Sequence, residues 1–223
     1  MQRRVAVSWS GGKDSALALY DVLNNMYVDG AILMTTYTEE YNRVSMHGVR
    51  LELVEKQAAS LGLDLLKIPL PADCSNEIYE DRMAAALQRL RSTGVFEVVF
   101  GDIFLEDVRR YREKNLERAG FKGIFPLWGF DTARLARRFL ELGFRAVICC
   151  VDTSRVPPEL AGRELESGLL DALPGGVDPC GENGEFHTFV YDGPIFSRRV
   201  DFELGERVLR HGKYLYVDLI PTS

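Results

Sequence analysis

The chain has 223 residues, 46% hydrophobic and 27% charged, with a net charge of −6. These are the proportions of a soluble globular protein with room for one large or two modest domains, and the acidity weighs against a dedicated nucleic-acid binder. No stretch approaches 18 apolar residues, and Arg3 and Arg4 precede only three apolar residues before Ser8. Neither a membrane span nor a secretory leader is expected, and the expected location is the cytoplasm.

The first element is an apolar run, Val5-Ala6-Val7, that reads as a buried strand. Ser10-Gly11-Gly12-Lys13-Asp14-Ser15 follows, and then apolar residues at Ala16, Leu19/Tyr20, Leu23 and Met26/Tyr27, spaced by three and four as on one helix face. The glycines therefore fall between a strand and a helix N-terminus, where unpaired N–H groups and the helix dipole favour an anion. Gly11 and Gly12 allow close backbone approach, Ser10 and Ser15 offer hydroxyls, Lys13 a point charge and Asp14 a hard oxygen for Mg²⁺. A nucleotide polyphosphate is the expected ligand. A Walker A loop is excluded because Val7 and Asp14 stand where Gly and Ser or Thr are needed. The competing reading is a Ser-capped turn that binds nothing.

A second strand is expected over 31–36, a helix over 51–61 ended by Gly62, and a third strand over 65–68. Ser75 or Asn76 caps a helix with Tyr79, Met83, Ala86 and Leu90 on one face, and a fourth strand over 95–100 runs into Gly101-Asp102. A helix over 105–119 ends at Gly120, and its Arg109, Arg110 and Arg112, like Arg134, Arg137 and Arg138 further on, read as solvated faces. Such alternation means crossover units and a parallel sheet, with ligand loops at the carboxyl ends of the strands. The loops 8–15, 35–47 and 101–107 converge there. Met34 and Thr35 would offer backbone to adenine, while Gly101 and Asp102 would approach the α-phosphate, unless Asp102 only caps the next helix.

The expected boundary lies between a nucleotide domain, 1–122, and a smaller α+β domain, 123–223. The latter should hold a short strand over 123–126, a helix capped by Asp131 or Thr132, and strands over 146–151, 186–191 and 200–204, with a hairpin around 210–213. Cys149 and Cys150 sit in an apolar strand, and Cys74 and Cys180 form no paired metal spacing with the three histidines. Between helix and sheet lies Asp178-Pro-Cys-Gly-Glu-Asn-Gly-Glu-Phe-His-Thr188, too dense in titratable and amide groups for an idle turn.

SGGKDS at 10–15 resembles the pyrophosphate loop of the N-type ATP pyrophosphatases. With GDI at 101–103, PLW at 126–128 and CGENGEFHTF at 180–189, the chain is similar over nearly its whole length to the diphthine–ammonia ligase family within that group. The resemblance implies an α/β fold, with a Rossmann-like, adenine nucleotide alpha hydrolase-like parallel sheet followed by a smaller C-terminal α+β domain that completes the cleft. It implies ATP and Mg²⁺ as cofactors. A carboxylate acceptor would be adenylated with release of pyrophosphate, and ammonia would convert the adenylate to an amide. Lys13, Asp14, Glu182, Glu185 and His187 are then the candidate catalytic residues, and Asp14 the metal ligand. Glu182 or Glu185 would orient ammonia or take its proton, and His187 would hydrogen-bond the acceptor, apart from the nucleotide. Diphthamide-forming members read Glu-Gly-Gly-Glu-(Phe/Tyr)-Glu-(Thr/Ser) in this loop, whereas here Asn183 and His187 intervene. That departure resembles a second, prokaryotic subgroup and points to an acceptor other than diphthine, a cobalamin-related compound among them. Two alternatives remain: tRNA thiolation, with Cys74 as the sulfur carrier, and a nucleotide sensor without catalysis. A homodimer is compatible with the sequence, which says nothing further of assembly.

Overall fold

Residues Arg4–Ser8 form strand β1, whose Val5 and Val7 enter one apolar core while Ala6 enters another. A strand covered on both faces has no polar side, so its sequence reads as a continuous apolar run. The computed structural model describes residues 3–26 and 28–222. Tyr27, placed by the periodicity on the first helix, lies outside the described residues, and that helix, α1, spans Lys13–Asn25. There follow β2 (Gly30–Thr38), β3 (Arg43–Val44), α2 (Leu51–Leu61), β4 (Asp64–Leu70), α3 (Asn76–Ser92), β5 (Glu97–Val99), α4 (Glu106–Arg118) and β6 (Lys122–Ile124).

Strands β4, β2, β1, β5 and β6 lie side by side in that order, every pairing parallel. The short β3, inside the loop expected to be irregular, pairs antiparallel with the end of β2. Helices α1 and α2 pack Leu19, Val22, Leu53 and Val54 on one face, while α3 and α4 pack Leu87, Leu90 and Leu116 on the other. This is the expected Rossmann-like α/β unit. The strand order reverses between β1 and β5, so the loops leaving these two strands open side by side on the crevice where such sheets bind ligands.

The rest of the chain gives α5 (Thr132–Glu141), β7 (Arg145–Asp152), a 3₁₀ turn at Pro158–Leu160, α6 (Ser167–Asp171), β8 (Phe186–Asp192), β9 (Phe202–Arg210) and β10 (Tyr214–Pro221). Its sheet runs β8-β7-β10-β9 with all pairings antiparallel. Two expectations change here. The strand placed at 200–204 is the start of the nine-residue β9, which continues into the hairpin, with His211 and Gly212 at positive φ in the turn. A boundary at 122/123 would cut β6, which pairs parallel with β5 and belongs to the first sheet. The two sheets also share a core: Phe139, Ile148, Phe189 and Val217 pack in one cluster with Val7, Leu19 and Leu53. The second sheet is therefore fixed against α1 and α2, which brings β8 to the loop after β1.

Ser75 caps α3, its Oγ accepting the Ile78 N–H at 3.2 Å, and Asp131 caps α5 through the Arg134 N–H at 2.8 Å. Asp102 caps nothing, because α4 starts at Glu106. The arginines of α4 are not all solvated: Arg112 lies over the Phe100 ring at 4.4 Å, and Arg109 over Phe125 and Trp128 at 4.7 and 4.6 Å. Among the described residues, no helix is long and apolar enough to cross a membrane.

Candidate active site

The loop between β1 and α1 has no side-chain cap on its helix. The Gly12 N–H donates to Ser10 Oγ at 3.2 Å, and Ser15 Oγ donates inward to the Gly12 carbonyl at 2.8 Å. Ser15 is buried, so here its hydroxyl shapes the loop rather than facing a ligand, contrary to expectation. The Ser-capped reading fails as well, since the Lys13 N–H is met from the other sheet, by Thr188 Oγ1 of β8 at 3.1 Å. Gly11 O accepts from the Val190 N–H at 2.8 Å and from Gln57 Nε2 at 3.0 Å, and Trp9 Nε1 fixes Gln57 Oε1 at 2.9 Å.

The glycines have a reason the sequence did not show. A Cβ on Gly12 would stand 2.8 Å from His47 Cε1 and 3.0 Å from the Thr188 carbonyl oxygen. A Cβ on Gly101 would stand 2.8 Å from the Asp14 carbonyl carbon. Both positions were expected to admit a phosphate, and both admit protein. The loop after β5 presses on the first turn of α1, and β8 presses on the loop after β1.

Lys13 is 4% exposed, and its Nζ donates to Asp14 Oδ2 at 2.9 Å and to the Cys180 carbonyl. Burial opposes its charge, but Asp14, Cys180 and Glu182 outweigh it and hold the ammonium above its usual pKa. Burial raises Asp14, with Asp178 adding to the rise despite Lys13. Asp102 is also raised by burial and by Asp14, against the pull of Arg112, whose Nε stands 3.1 Å away. Glu182 Oε1 accepts the Ile103 N–H at 2.8 Å, which ties loop 178–188 to the loop after β5. Burial, with Asp14 and Asp102 adding, pushes Glu182 up to about 7. Asp14 and Glu182 thus flank Lys13, and Asp102 lies beyond Asp14 beside Arg112.

Glu185 does not join them. It is fully buried, and its Oε1 accepts from the Asp178 N–H at 3.3 Å and from Asn183 Nδ2 at 3.1 Å, with Arg155 at 3.6 Å. It closes the turn of its own loop, which corrects the expectation that it handles ammonia in the cleft.

A cleft of 1360 Å³ opens at the carboxyl ends of the parallel strands. Ser10, Met34 and Thr35 line it from the first sheet, and His187, Tyr214 and Tyr216 from the second. Thr35 is 1% exposed, and its Oγ1 has no hydrogen-bond partner among the described residues. The Met34 carbonyl is already engaged, accepting the Trp9 N–H at 2.8 Å.

The sequence matches a family model described as the diphthamide synthase N-terminal domain over residues 3–123, and one described as the diphthamide synthase C-terminal domain over 131–218. The chain belongs to the diphthamide synthase family. Diphthine–ammonia ligase of Mus musculus is 24% identical over 228 residues, covering 92% of this chain and 85% of the relative. The Homo sapiens protein of the same name is 24% identical over 230 residues with the same coverage. Among solved structures, a predicted subunit of a tRNA methyltransferase from Methanocaldococcus jannaschii aligns with a TM-score of 0.42 and 22% identity, over 64% of this chain and 77% of that one.

In this diphthamide synthase family member the largest omission of the sequence reading is His47. Its ring lies 4.6 Å from that of His187, tilted by 36°, and both line the cleft. Burial lowers both; His187 falls to about 4 with Lys13 adding, and His47 is held well below its usual value with His187 and Lys13 adding. Thr188 and Gln57 were also missed, and no local signal marks them. Loop 178–188 packs against the first sheet's loops, for Thr188, Cys180 and Glu182 all bond to them. Cys180 is buried, and its thiol is pushed far up by that burial, so it is no nucleophile. Cys74 is half-buried on the cleft wall. Among the described residues, no group of three or more His, Cys, Asp or Glu side chains is arranged to hold a metal ion. Mg²⁺ beside a nucleotide needs only one or two carboxylates, the rest being phosphate and water. Asp14 fits that need; Asp102 Oδ2, buried and without a hydrogen bond among the described residues, is ion-paired with Arg112 Nε at 3.1 Å.

Proposed function

We propose that the protein is an ATP pyrophosphatase-type ligase that adenylates a carboxylate, releases pyrophosphate and forms an amide with ammonia. The observation that carries this reading is the glycine-led N-terminus of α1, with Lys13 at its first position, at the strand-order switch. Ser10, Gly11, Gly12 and Lys13 would hold the β- and γ-phosphates, Met34 and Thr35 the adenine end, and Gly101 and Asp102 the α-phosphate side. Mg²⁺ on Asp14 would neutralise charge developing on the leaving pyrophosphate. The shared name of the mouse and human relatives supports ammonia as the nitrogen source and carbon–nitrogen bond formation as the outcome.

Loop 178–188 touches the phosphate loop on one side and puts His187 on the cleft wall on the other. That suits an acceptor carboxylate lying between the α-phosphate and the second sheet. Glu182, poised near neutrality, would exchange a proton with the reacting nitrogen, while Glu185 holds the loop's shape. His187 offers a neutral imidazole where diphthamide-forming members carry a carboxylate, which supports the second subgroup and an acceptor other than diphthine.

The test is product analysis with Mg²⁺-ATP and a panel of carboxylates, diphthine and cobalamin-type acids included, with and without ammonium. Pyrophosphate and AMP are expected with a turnover acceptor; ADP and orthophosphate would overturn the reading. His187→Ala should leave ATP affinity within about tenfold, or 1.4 kcal/mol, while acceptor-dependent pyrophosphate release falls.

A further inference from the structure

His47 belongs to a loop of the first sheet, paired there through β3, that the second sheet also holds. Asp218 of β10 accepts from Arg43 Nη2 at 2.8 Å and from Arg50 Nε and Nη2 at 3.0 and 2.6 Å, so it clamps both ends of residues 43–50. Tyr216 OH donates to the Met46 carbonyl at 3.3 Å, and the Tyr216 ring lies where a Cβ on Gly48 would be, 2.5 Å from its Cδ1. From β7, Cys149 Sγ donates to the His47 carbonyl at 3.6 Å. These contacts set the imidazole over Gly12 and against His187.

The orientation of that ring has a chemical consequence. His47 Nδ1 stands 3.3 Å from the Thr188 carbonyl oxygen, which can only accept, so Nδ1 carries the proton. In a neutral ring Nε2 then carries the lone pair. Among the described residues Nε2 has no hydrogen-bond partner, and the residue lines the cleft. A bare Nε2 cannot bond a phosphate or carboxylate oxygen, since both sides would be acceptors. It requires a donor.

We infer that His47 is a further substrate-contacting residue, whose Nε2 accepts a hydrogen bond from the nitrogen nucleophile beside the phosphate loop and so orients it. Glu182 Oε1 is already engaged by the Ile103 N–H and Glu185 Oε1 by its own loop, whereas His47 Nε2 has no donor among the described residues. This rests on the ligase reading for its substrate, but the state of the ring does not.

The test uses the whole protein labelled with ¹³C and ¹⁵N at its three histidines, the His47 signals being assigned by their loss in His47→Gln. Should that variant not fold, His187→Gln and His211→Gln assign the remaining ring by elimination. At neutral pH the ring ¹⁵N shifts should report a protonated Nδ1 and a bare Nε2. With a non-hydrolysable ATP analogue bound, ammonium chloride should move the His47 signals, whereas tetramethylammonium chloride at equal ionic strength should not. A protonated Nε2, an equal response to both cations, or a response to pyrophosphate alone would each overturn the inference. A failure of pyrophosphate release with ATP would sink the ligase reading and leave these ring signals unchanged.

Discussion

Thr188 reaches across 175 positions of sequence to accept the backbone N–H of Lys13 at 3.1 Å, on the first turn of α1. A loop that would bind phosphate with free N–H groups thus has one of them answered by the other sheet. Lys13 Nζ is answered from the same side, by the Cys180 carbonyl. Thr188 of β8 and Cys180 of the loop before it thus both hold the first turn of α1.

Thr188→Val keeps the shape of the side chain and removes the acceptor. Leaving the buried Lys13 N–H unpaired should cost about 1–3 kcal/mol of stability. Denaturant titration checks this; an unchanged midpoint would show that the N–H finds another partner.

Asp14→Asn should reduce pyrophosphate release by about 10²–10³ with the fold retained. The side chain is 29% exposed and serves Lys13 and the leaving phosphates more than the core. Near-normal turnover in a folded variant would remove Asp14 from the reaction.

Glu182 and His187 should give opposite slopes of stability with pH. The folded pKa of Glu182, about 7, lies above its ordinary 4.5, so its contribution is full at low pH and is lost as pH rises through about 7. The folded pKa of His187, about 4, lies below its ordinary 6.5, so its contribution is full above 6.5 and is lost as pH falls through about 4. Melting temperature against pH should therefore decline less steeply toward pH 7 in Glu182→Gln, and fall less toward pH 4 in His187→Gln. Curves parallel to that of the parent would contradict both placements.

Asp218→Asn weakens the clamp on Arg43 and Arg50, whose hydrogen bonds hold its carboxyl below the usual range. Proteolysis within residues 43–50 should quicken by at least severalfold, because the loop's ends would be held by weaker neutral hydrogen bonds. Equal cleavage rates would mean that Tyr216 and Cys149 suffice.

The chemistry-bearing turn was legible because its signals are local. A strand-length apolar run, two glycines, a Lys-Asp pair and a helical period occur within about twenty residues, and backbone geometry ties them into one strand-to-helix junction. The alternation up to Gly120 likewise implied the parallel sheet, since crossover connections leave few other arrangements. Glu182 and Glu185 show where local reading stops. They stand three residues apart with the same side chain, yet one bonds across to Ile103 of the loop after β5 and the other is sealed inside its own turn. His47 shows it more strongly, for nothing near it in sequence marks a functional residue, and its place over Gly12 depends on Asp218 and Tyr216 of the last strand. The sequence by itself determined the glycine-rich strand-to-helix turn and the sheet that presents it, because short-range periodicity suffices for those. Only the tertiary structure decided what that loop faces, because burial and hydrogen-bond partners at the junction come from residues more than a hundred positions away.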